Sequence, residues 1–456
     1  MRQRLIHVVS NPSGWALVTG FVVIFLVIDG VITNLPFYDS QSQQSLNVAL
    51  FFAAEALFCS ISQIMYLRII KKKYSINSAV SRFKRSTDII YSVVSIIQYL
   101  IIALLVVTVL QIEILKQYNT IIVLALVLLS LFLSVGLSAL LAFRFLLWIK
   151  YKRYYVTVAY TVVAILLTIN SLFVVLFMFL EMQGKPYIID SSRQSITNTS
   201  VRSYDIRQFQ ANLSFASFVS LWIASIFLLR QYRKKWGIIK FYAIIIIPMV
   251  YYLGILQLAF SNLFIHYHQM DILQIYTFNT VNSILTKPVG GILFGMAFWL
   301  MGSRINVKNI SDYIKISAIG IILLSISNQD ASLYLLPYPP FGLPTITFVG
   351  ISSYMLFVGL YYSAISISLN AELRKFIEKS VEQEFSFISK IGVSQMEHDM
   401  QTKVKTIMKR SAKTLEEESG VQVSMESEEI DEYITLVIKE KQKMLSRGSR
   451  NNDNAQ

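Results

Sequence analysis

The sequence predicts an all-α fold, a polytopic transmembrane helix bundle of about ten spans with a cytoplasmic amphipathic helical tail. Three observations predict it. Ten mostly apolar stretches of roughly 15 to 29 residues recur between Trp15 and Ser368, near the ~20 residues that carry a helix across a hydrocarbon core about 30 Å thick. Lysine and arginine gather at alternate junctions between these stretches, as they do when positive loops stay on the cytoplasmic side. Mean hydropathy is +0.54, and charged residues make up only 15% of the chain against about 25% in soluble domains.

The spans are expected at Trp15–Leu35, Asn47–Leu67, Asp88–Leu115, Asn119–Leu147, Tyr155–Met182, Leu213–Leu229, Ile239–Ile265, Ile284–Met301, Tyr313–Ser327 and Pro344–Ser368. The ninth is the shortest. Residues 1–14 form an N-terminal arm, 15–368 the bundle, 369–445 the helical tail and 446–456 a polar, disordered C-terminus. No small-residue cleavage site follows the first apolar run, so that run reads as a retained anchor. Before the tail, junctions assigned to the inside carry 21 lysines and arginines, including Lys71–Lys73, and those assigned to the outside carry 5. Both termini are therefore expected in the cytoplasm and the chain in a cell membrane. The outer loop Gln183–Asn212 departs most from the rule. It also carries two glycosylation acceptor patterns, at Asn198 and Asn212, which read as chance occurrences.

The net charge of +14 belongs to the bundle: residues 1–370 hold 27 Lys and Arg against 11 Asp and Glu, and residues 371–456 hold 14 against 16. The basicity is thus a topology signal, and nucleic acid is not an expected partner. Cys59 is the sole cysteine, which excludes an intrachain disulfide and a multi-cysteine zinc site.

Ionisable groups inside apolar spans are costly and so become candidates for function. Asp29 stands 14 residues into the first span, about 21 Å along it, and Glu55 eight residues into the second, about 12 Å from its outer end. Lys287 lies near the start of the eighth. All three fall in the outer half of the membrane. Three arrangements suit them: an ion-paired cluster, a proton or cation site, or the floor of an outward-facing ligand pocket. Pairing that merely holds the bundle together is the fourth. Lys287 heads the run KPVGG, with Pro288, Gly290 and Gly291, followed by Gly295. Proline is comfortable near a helix start, and glycines four apart let another backbone approach, so these four are read as packing residues. Gln63, Gln98, Asn170 and Gln257 are read as helix cross-links through hydrogen bonds. His266 and His268, with Asp271 behind, are read as a surface loop without metal. No cofactor or metal is expected, and without His boxes, nucleophile elbow, phosphate loop or paired cysteines the chain does not read as an enzyme.

Beyond Ser368 the apolar residues Leu373, Phe376, Ile377, Val381, Phe385, Ile388, Ile391, Met396, Met400, Val404, Ile407 and Leu415 recur mostly at three- and four-residue intervals, interrupted near Gly392, a stripe on a charged helix. Such a stripe needs a partner: a second copy or a cytoplasmic protein. Glu428–Leu445 reads as a second amphipathic helix. His398 faintly resembles a histidine-kinase phosphoacceptor, yet only 52 residues follow Val404, too few for a nucleotide-binding domain.

The runs LPYPPFGLPTITFVGISSY at Leu336–Tyr354, SAISISLNAELRKFI at Ser363–Ile377 and IGVSQME at Ile391–Glu397 resemble multi-pass membrane proteins of unassigned function from ammonia-oxidising archaea. The resemblance covers the last third of the chain best. It implies an archaeal cell membrane and carries no activity. The functional expectation is a signalling or scaffold component coupling the bundle to a partner through the tail. The alternative is a secondary transporter of a small or charged solute, using Asp29, Glu55 and Lys287.

Overall fold

The structure, a computed structural model, describes residues 12–34, 46–76, 84–151, 153–182, 188–190, 201–254, 272–305, 307–328, 338–369 and 386–419. The chain divides into two compact units, Met1–Gly392 and Val393–Gln456. Among the described residues, helices dominate both. In order they are α1 Pro12–Asn34, α2 Leu46–Ile76, α3 Lys84–Leu110 with a π turn at Gln111–Leu115, α4 Thr120–Tyr151, α5 Tyr155–Met182, α6 Val201–Leu229, a short α7 Arg233–Trp236, α8 Ile238–Tyr252, α9 Ile272–Ser303, α10 Lys308–Ser327, α11 Leu343–Leu369 and α12 Ser386–Ser419. Nine of the described helices are long and apolar enough to cross a membrane.

Two faces of the bundle explain why its helices are apolar nearly all round. Inward residues such as Phe52, Leu105 and Phe298 are fully buried, while Val93, Ile96 and Leu100 of α3 or Ile61 of α2 are largely exposed. A water-soluble protein does not present so much apolar surface, whereas lipid accepts it.

The seventh expected span is observed only as α8, 15 residues long and containing Pro248. At 1.5 Å per residue it extends about 22 Å, short of a crossing, and the remainder of that expected span, residues 255–265, lies outside the described residues. So do His266, His268, Asp271, Gln257, Asn198, the second tail helix and the C-terminus. Two helices each begin 12 residues earlier than hydropathy predicts. α6 starts at Val201 rather than Leu213, and α9 at Ile272 rather than Ile284. Neither extension contains glycine or proline, so nothing stops the helix where its apolar stretch ends. Asn212 accordingly sits within α6 and not in a loop. Among the described residues the α3–α4 and α5–α6 junctions also form a two-stranded antiparallel ribbon, β1 Gln117–Asn119 with β2 Ile188–Asp190, pairing Tyr118 with Ile189.

α11 is the axis. Its most apolar window is entirely buried, against a third of the window in α1 or α3, and it packs against α1, α2, α3, α4 and α10. Small residues permit this. A Cβ added at Gly320 of α10 would lie 2.7 Å from the Leu356 nitrogen, and one at Gly359 of α11 would overlap the Ser317 hydroxyl and the Tyr313 carbonyl. Hydroxyls fasten the other side: Ser130 of α4 donates to the Ile346 carbonyl at 2.7 Å, and Ser134 meets Ser353 at 2.7 Å.

At the opposite end of α2, Lys73 pairs with Asp312 at the start of α10 and lies 5.2 Å from the Trp15 ring centroid of α1. The Asp312 side chain is 3% exposed and that of Lys73 14%. Lys73→Met is expected to lower stability by about 2 kcal/mol, because it strands a buried carboxylate. Adding Asp312→Leu should recover most of that loss. Unfolding midpoints of the single and double variants in detergent check it; a double variant as weak as the single would refute the stranded-charge explanation.

Candidate functional site

Asp29 and Glu55 come together, and Lys287 stands apart from them. Asp29 on α1 is fully buried and caps α11 from a distance of more than three hundred residues in sequence. Its Oδ1 accepts from the Gly342 N–H at 2.7 Å, and its Oδ2 accepts from the Thr345 N–H at 3.2 Å and from the Thr345 hydroxyl. These are first-turn donors that a helix leaves unmatched, at the end where its dipole favours negative charge. The approach depends on Gly342, whose φ of 88° is a conformation glycine adopts without strain. The preceding Tyr338–Pro339 peptide is cis. The stretch Tyr338–Gly342 leads directly into α11 at Leu343.

Glu55 on α2 is 1% exposed, and neither carboxyl oxygen has a hydrogen-bond partner among the described residues. It lies within electrostatic reach of Asp29. About two helix turns further along α2, Gln98 of α3 donates to Gln63 at 2.7 Å, and Gln63 donates to the Thr347 hydroxyl of α11. These glutamines cross-link three helices, the role their sequence position suggests. Glu55 cross-links nothing among the described residues. Glu55→Leu is expected to raise the unfolding midpoint, since a buried polar group without a partner costs about 1–3 kcal/mol. A lowered midpoint would show that the carboxyl holds a partner of its own, such as a cation.

The second locus is a cavity bordered by α4, α5, α6, α9, α10 and α11, including Lys287, Asn170, Tyr160, Ser214, Ser217, Ser325 and Asn328. About 70 Å³ is open to the centres of water-sized molecules, room for about five waters at roughly 10–15 Å³ each. Tyr160 and Asn170 lie ten residues apart on α5, so the cavity follows that helix for about 15 Å. The Lys287 ammonium donates to the Asn328 carbonyl at 2.8 Å. Asn170 is 1% exposed, and neither its amide oxygen nor its nitrogen has a partner among the described residues. It is thus no cross-link, unlike the glutamines.

Pro288 falls in the middle of α9, sixteen residues after its start at Ile272, and not near a helix start. Lacking an N–H, it leaves the Ile284 carbonyl without its helical partner. Gly291 and Gly295 seat α9 on α10: a Cβ would lie 2.5 Å from Ser325 Cβ at the first and 2.8 Å from the Ala318 carbonyl at the second. At Gly290 it would strike the Phe218 ring of α6.

The cavity wall continues into the tail. The Tyr160 ring is 5.4 Å from Phe298 of α9 and 4.8 Å from Phe387 in the first turn of α12. Phe387 and Ile391 are each 2% exposed. A Cβ at Gly392 would overlap Ile367 of α11. Lys390 lies over the rings of Tyr154 and Tyr155, at 4.7 and 5.4 Å, and burial pushes its pKa below the ordinary lysine value. The sequence placed Ile391 on the apolar stripe but not Phe387. In the second unit α12 runs on to Ser419 and keeps Met400, Val404 and Ile407 exposed.

Compared with known proteins, the chain matches no family model, no curated protein and no solved structure.

Proposed function

We propose that this membrane-helix bundle is a signalling component: a small solute held in the cavity repositions the start of α12, and the tail presents the change to a cytoplasmic partner. The observation that carries the reading is the shared side chain. Tyr160 forms part of the cavity wall and its ring lies against that of Phe387 of the tail helix, so occupancy of one is felt by the other through direct contact. Exposed Met400, Val404 and Ile407, at helical spacing, supply an apolar stripe suited to a partner helix or a second copy. The positive-inside count favours both termini in the cytoplasm, and the resemblance noted above favours an archaeal cell membrane.

The test compares the full-length chain, Phe387→Ala and a chain ended at Ser368, each captured from native membranes with its bound proteins. The reading expects partners lost on truncation and reduced by Phe387→Ala, with the bundle's melting preserved. Equal capture by all three would overturn it. Transport is the second reading, favoured by Pro288 interrupting α9 beside Lys287, where a helix can flex. Solute uptake that survives removal of the tail would shift the conclusion there.

A further inference from the structure

We infer that the α12 segment Met400–Leu415 docks on an anionic lipid surface as an interfacial amphipathic helix. The inference deepens the signalling reading and rests on it in one respect: lipid holds the apolar stripe away from a cytoplasmic partner until the helix is released. The segment has a narrow apolar face. At 3.6 residues per turn Met400, Val404, Ile407 and Ser411 fall within about 60° of arc, and all four are exposed. The segment is also basic throughout. Residues 400–415 hold Lys403, Lys405, Lys409, Arg410 and Lys413 and no Asp or Glu, within a tail whose total over residues 371–456 is 14 Lys and Arg against 16 Asp and Glu. Lys403 and Arg410 are exposed and border the stripe along one side, about 70–90° from its centre. An apolar stripe with cationic flanks suits the headgroup boundary, where anionic lipid attracts each basic side chain. A parallel second copy would instead bring like charges together along the seam. The chain itself supplies the tether. Gly392 lies against Ile367 of α11, and Met400 follows it by eight residues, no more than about 30 Å by any path. A bilayer is therefore at high effective concentration for this segment.

The full-length chain is placed, one copy per lipid nanodisc, in phosphatidylcholine alone or in an equal mixture of phosphatidylcholine and phosphatidylglycerol. An environment-sensitive fluorophore is attached at Ser411→Cys, within the apolar face, or at Thr402→Cys, on the opposite face, each in a Cys59→Ala background. Ser411 and Thr402 are exposed and Cys59 is buried. Nitroxide-bearing lipid then reports which face meets the bilayer. In the mixed discs it is expected to quench the fluorophore at Ser411 and not at Thr402. Most of that quenching should be lost in phosphatidylcholine alone, and in about 1 M salt, where the screening length falls to about 3 Å. Lys403→Gln combined with Arg410→Gln should lower the docked-to-free ratio about 25-fold, at about fivefold for each basic residue near an anionic surface. No quenching at Ser411, equal quenching at both positions or in both lipids, or quenching indifferent to salt and to the double variant would each overturn the inference. A blue-shifted Ser411 fluorophore that nitroxide lipid does not quench would mean that protein covers the stripe, and would overturn it as well. The signalling reading fails separately, through equal partner capture by the full-length chain and the Ser368 truncation while lipid quenching persists.

Discussion

Replacing Gly359 by alanine is expected to destabilise the bundle by about 3 kcal/mol, the upper end of ordinary overpacking penalties. The added Cβ would overlap the Ser317 hydroxyl and the Tyr313 carbonyl and lie 2.7 Å from the Ser317 nitrogen. The hydroxyl can rotate away. The backbone atoms cannot, so α10 and α11 would have to part along the most buried seam of the molecule. Gly136→Ala on α4 is the internal control, because nothing lies within 4 Å of its added Cβ. There alanine should be neutral or add about 0.5–1 kcal/mol through helix propensity. Unfolding midpoints from tryptophan fluorescence in one detergent compare the two. Gly359→Ala melting with the wild type would mean that α10 and α11 do not meet at this seam.

Asp29→Asn should cost about 3 kcal/mol, since hydrogen bonds to a charged group contribute about 1.5–3 kcal/mol each and a buried donor left unmatched about 1–3 kcal/mol. Three donors of the α11 start converge on the two Asp29 oxygens. An amide keeps one oxygen and turns a donor toward donors, so the change is isosteric and still disruptive. Glu55→Leu, only one helix away, is expected to act in the opposite direction. The pair separates a carboxylate that holds the fold from one that does not. Equal losses from both would show that the two carboxyl groups act as a single site.

Most of the bundle was legible because lipid imposes one requirement on every crossing segment, and hydropathy reads that requirement directly. The extensions of α6 and α9 were not, because helix continues wherever no residue stops it, whatever the polarity. Asp29 and Glu55 stood out as charges in apolar runs, and their depths placed them in one layer. That Asp29 serves α11 depends on donors 313 and 316 residues away, and no local pattern encodes such a pairing. Lys287 shares the same expected layer but faces another part of the bundle, since depth says nothing about rotation around the bundle axis. Asn170 and Gln63 look alike in sequence. Only the presence of Gln98 and Thr347 around one, and of open space beside the other, tells a cross-link from an unsatisfied amide. Phe387 lies off the regular stripe, and its burial follows from the aromatic wall of Tyr160 and Phe298 that receives it.

The cap on α11 also sets a timetable for biogenesis. Asp29 leaves the ribosome 313 residues before the Gly342 amide it binds, an interval of about 15–60 s at 5–20 residues per second. During that time the Asp29 carboxylate lacks all three donors that hold it in the finished protein. The nascent chain must keep it beside water or a chaperoning helix until α11 arrives. A chain broken off before Gly342 would retain every earlier span and still carry an Asp29 carboxylate with none of these donors.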